Sequence, residues 1–142
     1  MLRDDATGLL SRSGFLFLTE HLIKIAARGG HGLLLLSLGL RKGAASEGSV
    51  PAALTDLLVK SFRGSDVKAR VAPDEFVVLA IDAPTGTARM LTERLRRTID
   101  AYNRSVPGNQ RLDVDIGMTA YESGASATPE DLLARGRAAR QA

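Results

Sequence analysis

The sequence predicts an α/β (α+β) fold, with one mixed sheet covered by helices. Three observations carry this. Segments with apolar residues at helical spacing alternate with segments of strand character, in the order helix, strand, helix, hairpin, helix, strand, helix. The 142 residues suffice for one domain and fall short of two ordinary ones. With 44% hydrophobic and 25% charged residues, the chain has the composition of a globular protein that can bury a core.

Ser13 to Arg28 reads as the first helix: Phe15, Leu18, Leu22 and Ile25 recur at helical spacing, and Gly29-Gly30 stops it. Leu33 to Leu38 is a continuous apolar run, the pattern of a central strand covered on both faces. Arg41 to Pro51 is polar, small and glycine-rich, and is expected to be a loop. Ala52 to Phe62 follows as a helix that turns Leu54, Leu57, Leu58 and Phe62 inward. Val67, Ala69 and Val71 alternate with Lys68 and Arg70, as in a half-buried strand, and Phe76 to Ile81 is a strand of the buried type. Their short link predicts a hairpin turning near Ala72-Pro73-Asp74. Thr85 to Asn103 is the longest helix, with Ala88, Leu91, Leu95, Ile99 and Tyr102 along one face. Leu112, Val114, Ile116 and Met118 alternate with Asp113, Asp115, Gly117 and Thr119 in the last strand. Thr128-Pro129-Glu130-Asp131 is a helix start, with threonine as N-cap, proline at the first position and acids in the first turn.

Several function classes drop out. The chain has no cysteine, which removes disulfides, thiolate metal sites and a cysteine nucleophile. Its longest apolar run, Leu33 to Leu36 with Leu38 and Leu40 beyond, is far short of the roughly 20 residues of a membrane span. Met1-Leu2-Arg3-Asp4-Asp5 does not read as a signal peptide, and the lack of cysteine fits a reducing cytoplasm, the expected location. The net charge of +3 is spread along the chain and permits an anionic ligand. Aromatic residues make up only 4%, too few for base-stacking platforms, and nucleic acid is not an expected partner. His21 and His31 are read as helix-surface and loop residues, not a metal pair.

Five short motifs stand in a fixed order. Asp4-Asp5-Ala6-Thr7-Gly8-Leu9-Leu10-Ser11-Arg12-Ser13-Gly14-Phe15 resembles the opening segment of GGDEF domains, D-x-L-T-G-L-x-N-R-x-x-F. Arg63-Gly64-Ser65-Asp66 resembles their R-x-x-D inhibitory site, and Ala72-Pro73-Asp74-Glu75-Phe76 stands where the GGDEF signature belongs. Asp115-Ile116-Gly117 resembles the late S-I-G, and Ala134 to Ala139 resembles the closing A-R-A-D-x-A. The similarity covers nearly the whole chain, so residues 1–142 are read as a single degenerate GGDEF domain. It implies a nucleotidyl-cyclase or ferredoxin-like sheet of about five strands, mixed and mainly antiparallel. Active members join two GTP molecules into cyclic di-GMP with two Mg²⁺ ions.

The same comparison implies that this chain is not an enzyme. The family takes metal-holding carboxylates from the end of the first strand and from the hairpin signature. By alignment the first-strand acid is Ser37 here, and the acid two residues on is Gly39. Only Asp74 and Glu75 survive, read as vestigial turn and edge residues, and no metal site is expected. The signature's two glycines are Ala72 and Pro73, and proline fixes φ and removes an N–H. Lys42 is the one match to the family's nucleotide loop, and its base-reading residues have no counterpart between Gly43 and Ala53. Arg137 and Gln141 stand where the family tends to have Asp and Tyr.

The recognition set is intact. A guanidinium fork suits a phosphate or the O6/N7 edge of guanine, and a carboxylate such as Asp66 can accept from guanine N1–H and N2–H. The resemblance adds a third residue, Arg94, on the following helix. Arg63, Asp66 and Arg94 are therefore the expected binding site for cyclic di-GMP, with no cofactor. Arg63 with Asp66 also fits a surface ion pair at a helix end. Two other readings stay open: an interaction or dimerisation module without nucleotide, and residual GTP binding or cyclase activity resting on Asp74-Glu75. Expected partners are cyclic di-GMP and other domains or proteins of a signalling chain, with a homodimer allowed.

Overall fold

The computed structural model describes residues 2–41, 49–81 and 86–140. Among these the order is α1 (Arg12–Gly29), β1 (Leu33–Leu40), α2 (Ser49–Ser61), β2 (Val67–Ala72), β3 (Glu75–Ile81), α3 (Ala88–Arg104), β4 (Val114–Tyr121) and α4 (Pro129–Ala138), with a 3-10 turn at Gly108–Gln110. Lys42, the rest of the expected loop as far as Gly48, Thr85 and Gln141 lie outside the described residues.

The sheet order is β2-β3-β1-β4. β1 pairs antiparallel with β3 and β4, and β2 pairs antiparallel with β3. The crossover β1-α2-β2 therefore straddles β3, and β3-α3-β4 straddles β1, the interleaving of a ferredoxin-like sheet. β1 is central and buried, which explains its leucine-rich run, interrupted only by Ser37 and Gly39. Side chains alternate between two cores. Leu36, Leu38 and Leu40 meet Leu54, Leu58 and Phe62 of the α2 region with Leu95 and Ile99 of α3. Leu33 and Leu35 meet Phe15, Ile23 and Ala26 of α1 with Leu132 and Leu133 of α4. The fold is thus a helix pair on each face of one sheet.

Three expectations need correction. The described residues form four strands rather than about five, and every strand pairing is antiparallel rather than mixed. The place beside β2 is taken by Leu10, which makes one parallel bridge to Ala69 and no ladder. Second, the inward face of α1 is Phe15, Thr19, Ile23 and Ala26, while Leu18 is exposed and Ile25 is 61% exposed. The helix is apolar on more than one side (Leu16, Phe17, Leu18, Leu22, Ile23, Ile25), so periodicity did not single out the side that docks. Third, Ser49 to Pro51 is the first turn of α2 and not loop. Proline is tolerated there because a first-turn N–H has no helical partner.

The termini of α1 and α4 follow local chemistry. Ser11 caps α1 by accepting from the Gly14 N–H at 3.2 Å, and Gly30, at φ +73°, ends it. Thr128 and Asp131 form a reciprocal capping box at the start of α4, with bonds of 3.1 and 3.0 Å. The opening turn is held in the same way: Asp4 Oδ2 accepts from the N–H and hydroxyl of Thr7, and Arg70 of β2 lies 3.5 Å from it. These bonds outweigh the effect of burial and hold the Asp4 carboxyl below its ordinary value of 3.8.

Candidate functional site

The first candidate lies where α2 ends and β2 begins. Arg63-Gly64-Ser65-Asp66 is a tight turn in which the Asp66 N–H donates to the Arg63 carbonyl at 3.0 Å. Arg63 points outward, with its side chain 65% exposed. Its Nη2 donates to the carbonyl of Ile81, at the far end of β3, at 2.8 Å. Arg94, on α3, donates from Nη2 to the Ser61 carbonyl at 2.7 Å, and its guanidinium stands 5.8 Å from the Phe62 ring centroid. Each arginine is thus tethered by one carbonyl and keeps further donors of its fork for a ligand. The two flank a cleft of about 370 Å³, floored by Phe62, Ala80 and Leu91 and bordered by the exposed Met90.

Asp66 lines the same cleft, but its side chain is only 5% exposed. Oδ1 accepts from the Ile81 N–H at 3.2 Å and Oδ2 from the Arg63 N–H at 3.1 Å. The ion-pair contact to Arg63 Nε is long, at 3.8 Å. The carboxylate is therefore spent chiefly on backbone donors and fastens the turn to the end of β3. That geometry differs from the outward acceptor expected for guanine N1–H and N2–H. Lys68 of β2 braces the turn, donating to the carbonyls of Arg63 and Asp66 at 2.8 and 3.2 Å.

The second candidate lies at the opposite end of the sheet. Pairing brings Glu75 and Asp115 to either side of Gly39, and Val77 and Gly117 to either side of Ser37. Glu75 closes the hairpin after Pro73 and Asp74, and Asp74 is exposed in the turn. The Pro73 carbonyl accepts from Arg70 Nε and Nη2 at 3.1 and 2.7 Å. Glu75 is held by two arginines. Arg137 of α4 grips it with both arms of its fork, Nε to Oε2 at 2.9 Å and Nη2 to Oε1 at 3.0 Å. Arg140, just past α4, donates from Nη2 to Oε2 at 2.6 Å and from Nε to the buried hydroxyl of Ser37 at 2.9 Å. Burial would raise the Glu75 carboxyl, but the bonds and charges of Arg137 and Arg140 prevail and hold it below its ordinary value of 4.5.

This end does not fit the divalent cations that the resemblance implies. Both oxygens of Glu75 are engaged by guanidinium groups, the Ser37 hydroxyl is engaged by Arg140, and Gly39 has no side chain to offer a ligand. Asp115 and Asp113 instead face Arg41, at 2.8 and 3.4 Å. Among the described residues no three His, Asp or Glu side chains converge on one point. Arg140 was not foreseen in the sequence. The available signal was two arginines three residues apart, at the end of the last helix and just beyond it, in a chain whose surviving signature carries one inward acid.

Comparison with known proteins agrees with this architecture. The profile of the family described as "Diguanylate cyclase, GGDEF domain" matches residues 50–142. No curated protein matches the chain. Among solved structures it is similar to the GGDEF domain of FimX from Pseudomonas aeruginosa, with a TM-score of 0.79 at 18% identity, covering 98% of this chain and 91% of that one. A sensory box/GGDEF family protein from Caulobacter crescentus gives 0.78 at 22% identity, with 98% and 95% covered. The GGDEF domain of DgcB from Caulobacter crescentus, solved in complex with c-di-GMP, gives 0.81 at 17% identity, with 96% and 86% covered. At such identities these likenesses speak for the fold alone. With the profile matching well over half of the residues on a sheet of this topology, the chain belongs to the GGDEF domain family, the family of the diguanylate cyclases.

Proposed function

We propose that residues 1–142 form a single GGDEF domain that has lost cyclase activity and serves as a cytoplasmic receptor for cyclic di-GMP. The observation that carries this reading is the convergence of Arg63 and Arg94 on one cleft, each held by a single backbone carbonyl. Two forks at the rim can take a phosphate or a guanine O6/N7 edge, with Met90 and Leu91 as apolar wall. Asp66 serves the site by fixing the turn that presents Arg63. The complex of DgcB with c-di-GMP supports the choice of ligand, and the double arginine clamp on Glu75 weighs against turnover.

Isothermal titration of the chain with cyclic di-GMP tests this. Saturable binding is expected. Arg63→Ala and Arg94→Ala should each weaken it by about tenfold or more, as charge-assisted hydrogen bonds contribute about 1.5–3 kcal/mol each. No heat at high micromolar ligand overturns the receptor reading. Cyclic di-GMP formed from GTP and Mg²⁺ overturns the loss of activity.

A second reading, an interaction or dimerisation module, is favoured by one observation. Phe17 and Ile25 on α1 are each 61% exposed, an apolar stripe that Leu18 extends. Gel filtration separates the two readings: a dimer indifferent to nucleotide, in a chain without affinity for cyclic di-GMP, favours the module.

A further inference from the structure

At the Glu75 end of the sheet, we propose that Arg140, with Arg137, is the resident cation: its guanidinium stands between Ser37, Gly39 and Glu75, closes this end to divalent cations and locks α4 across it. The inference deepens the non-cyclase half of the reading above. It rests on that reading only in taking this end of the sheet as the family's metal end.

Charge comes first. One carboxylate, 16% exposed, faces two guanidinium groups, so nothing is left for a divalent cation to neutralise. The other carboxylates near this edge are Asp115 and Asp113, taken by Arg41, and Asp74, exposed in the hairpin turn. The donor set agrees. Glu75 Oε2 accepts twice, Oε1 once, and Ser37 Oγ once, all from arginine. Magnesium requires an octahedron of hard oxygen ligands, which these atoms cannot supply while so engaged.

Space points the same way. A methyl group on Gly39 would stand 2.7 Å from Arg140 Nη1, so an acid at this second first-strand position would require the Arg140 side chain to shift. A methyl group on Gly117 would strike the backbone of Gly136 and Ala139. Helix α4 thus ends directly on the sheet, where Arg137 reaches β3 and Arg140, just beyond the helix, reaches β1 and β3 together. An exposed ion pair contributes little, but this cluster is anchored: the Arg140 side chain is 17% exposed and bridges two strands.

The test needs no variant at first. The chain is titrated with Mn²⁺ while the amide resonances of Ser37, Gly39 and Glu75 are followed by NMR. No saturable broadening at these three amides through the low millimolar range is expected, and saturable broadening there overturns the proposal. The lock is then read by a double-mutant cycle in thermal unfolding. Glu75→Gln and Arg140→Gln should each lower Tm, and the double variant should fall no further than the worse single one. Additive losses overturn the lock. Failure of the receptor reading appears elsewhere, as absence of heat with cyclic di-GMP at Arg63 and Arg94, and leaves both results unchanged.

Discussion

Asp66 shows how one side chain can belong to a binding motif and yet do structural work. Its two oxygens accept from the N–H groups of Arg63 and Ile81, which lie 18 residues apart. Removing the carboxylate strands both donors, and an unsatisfied buried donor costs about 1–3 kcal/mol. Asp66→Ala is therefore expected to lower the unfolding free energy by that order and the denaturant midpoint with it, with Asp66→Asn, which keeps one acceptor oxygen, losing less. Urea unfolding followed by circular dichroism checks this. An unchanged midpoint, with affinity for cyclic di-GMP alone reduced, would return Asp66 to the ligand.

At the scale of elements, the contact between α4 and the sheet is set by the absence of side chains. Gly117 lies in β4 where the backbone of Gly136 and Ala139 passes over it, with no room for a methyl group. Gly117→Ala must displace the helix and is expected to cost about 1–3 kcal/mol, the range of overpacked cores. Gly108→Ala, in open space, should stay within about 0.5 kcal/mol of the parent. Denaturant midpoints of the two variants decide the matter, and equal costs would refute the close approach. The displaced helix would carry Arg137 and Arg140 with it, so Gly117→Ala should also weaken the clamp on Glu75.

Over the whole molecule, the two charged ends stand at opposite termini of β3, six residues or about 20 Å apart. They do not share a side chain, so ligand binding at one and ion pairing at the other should respond separately. Among the described residues three carboxylates are held below their ordinary values by the fold. Glu75 is lowered despite burial by its arginines, Asp4 despite burial by Thr7 and Arg70, and Asp131 by its capping bonds to Thr128. A carboxylate lowered by folding stabilises the native state above its unfolded value and loses that contribution as pH falls through the folded one. Tm is thus expected to be flat from neutrality to about pH 5 and to drop below the ordinary values of 4.5 and 3.8. Glu75→Gln should make the drop shallower. Differential scanning calorimetry across pH reads this, and a slope that begins above pH 6 or is unchanged in the variant would contradict it.

The amino-acid order by itself determined the succession of elements, the hairpin at Pro73-Asp74, the cap of α4 and the inward faces of α2, α3 and β4. Those features are written in residues a few positions apart, through periodicity, turn chemistry and capping, and need no knowledge of what lies across the fold. Tertiary structure decided the rest. Helix α1 is apolar on several sides, and only its seat beside β2 selected Thr19 and Ile23 over Leu18 and Ile25. Asp66 turned inward because the end of β3 brought it a backbone donor from 15 residues away. Arg140 met Glu75 and Ser37 across 65 and 103 residues, a pairing that exists only once α4 lies over β1 and β3. Local pattern records what a segment can form, whereas a charge chooses its partner only after the chain has brought the candidates within hydrogen-bonding reach.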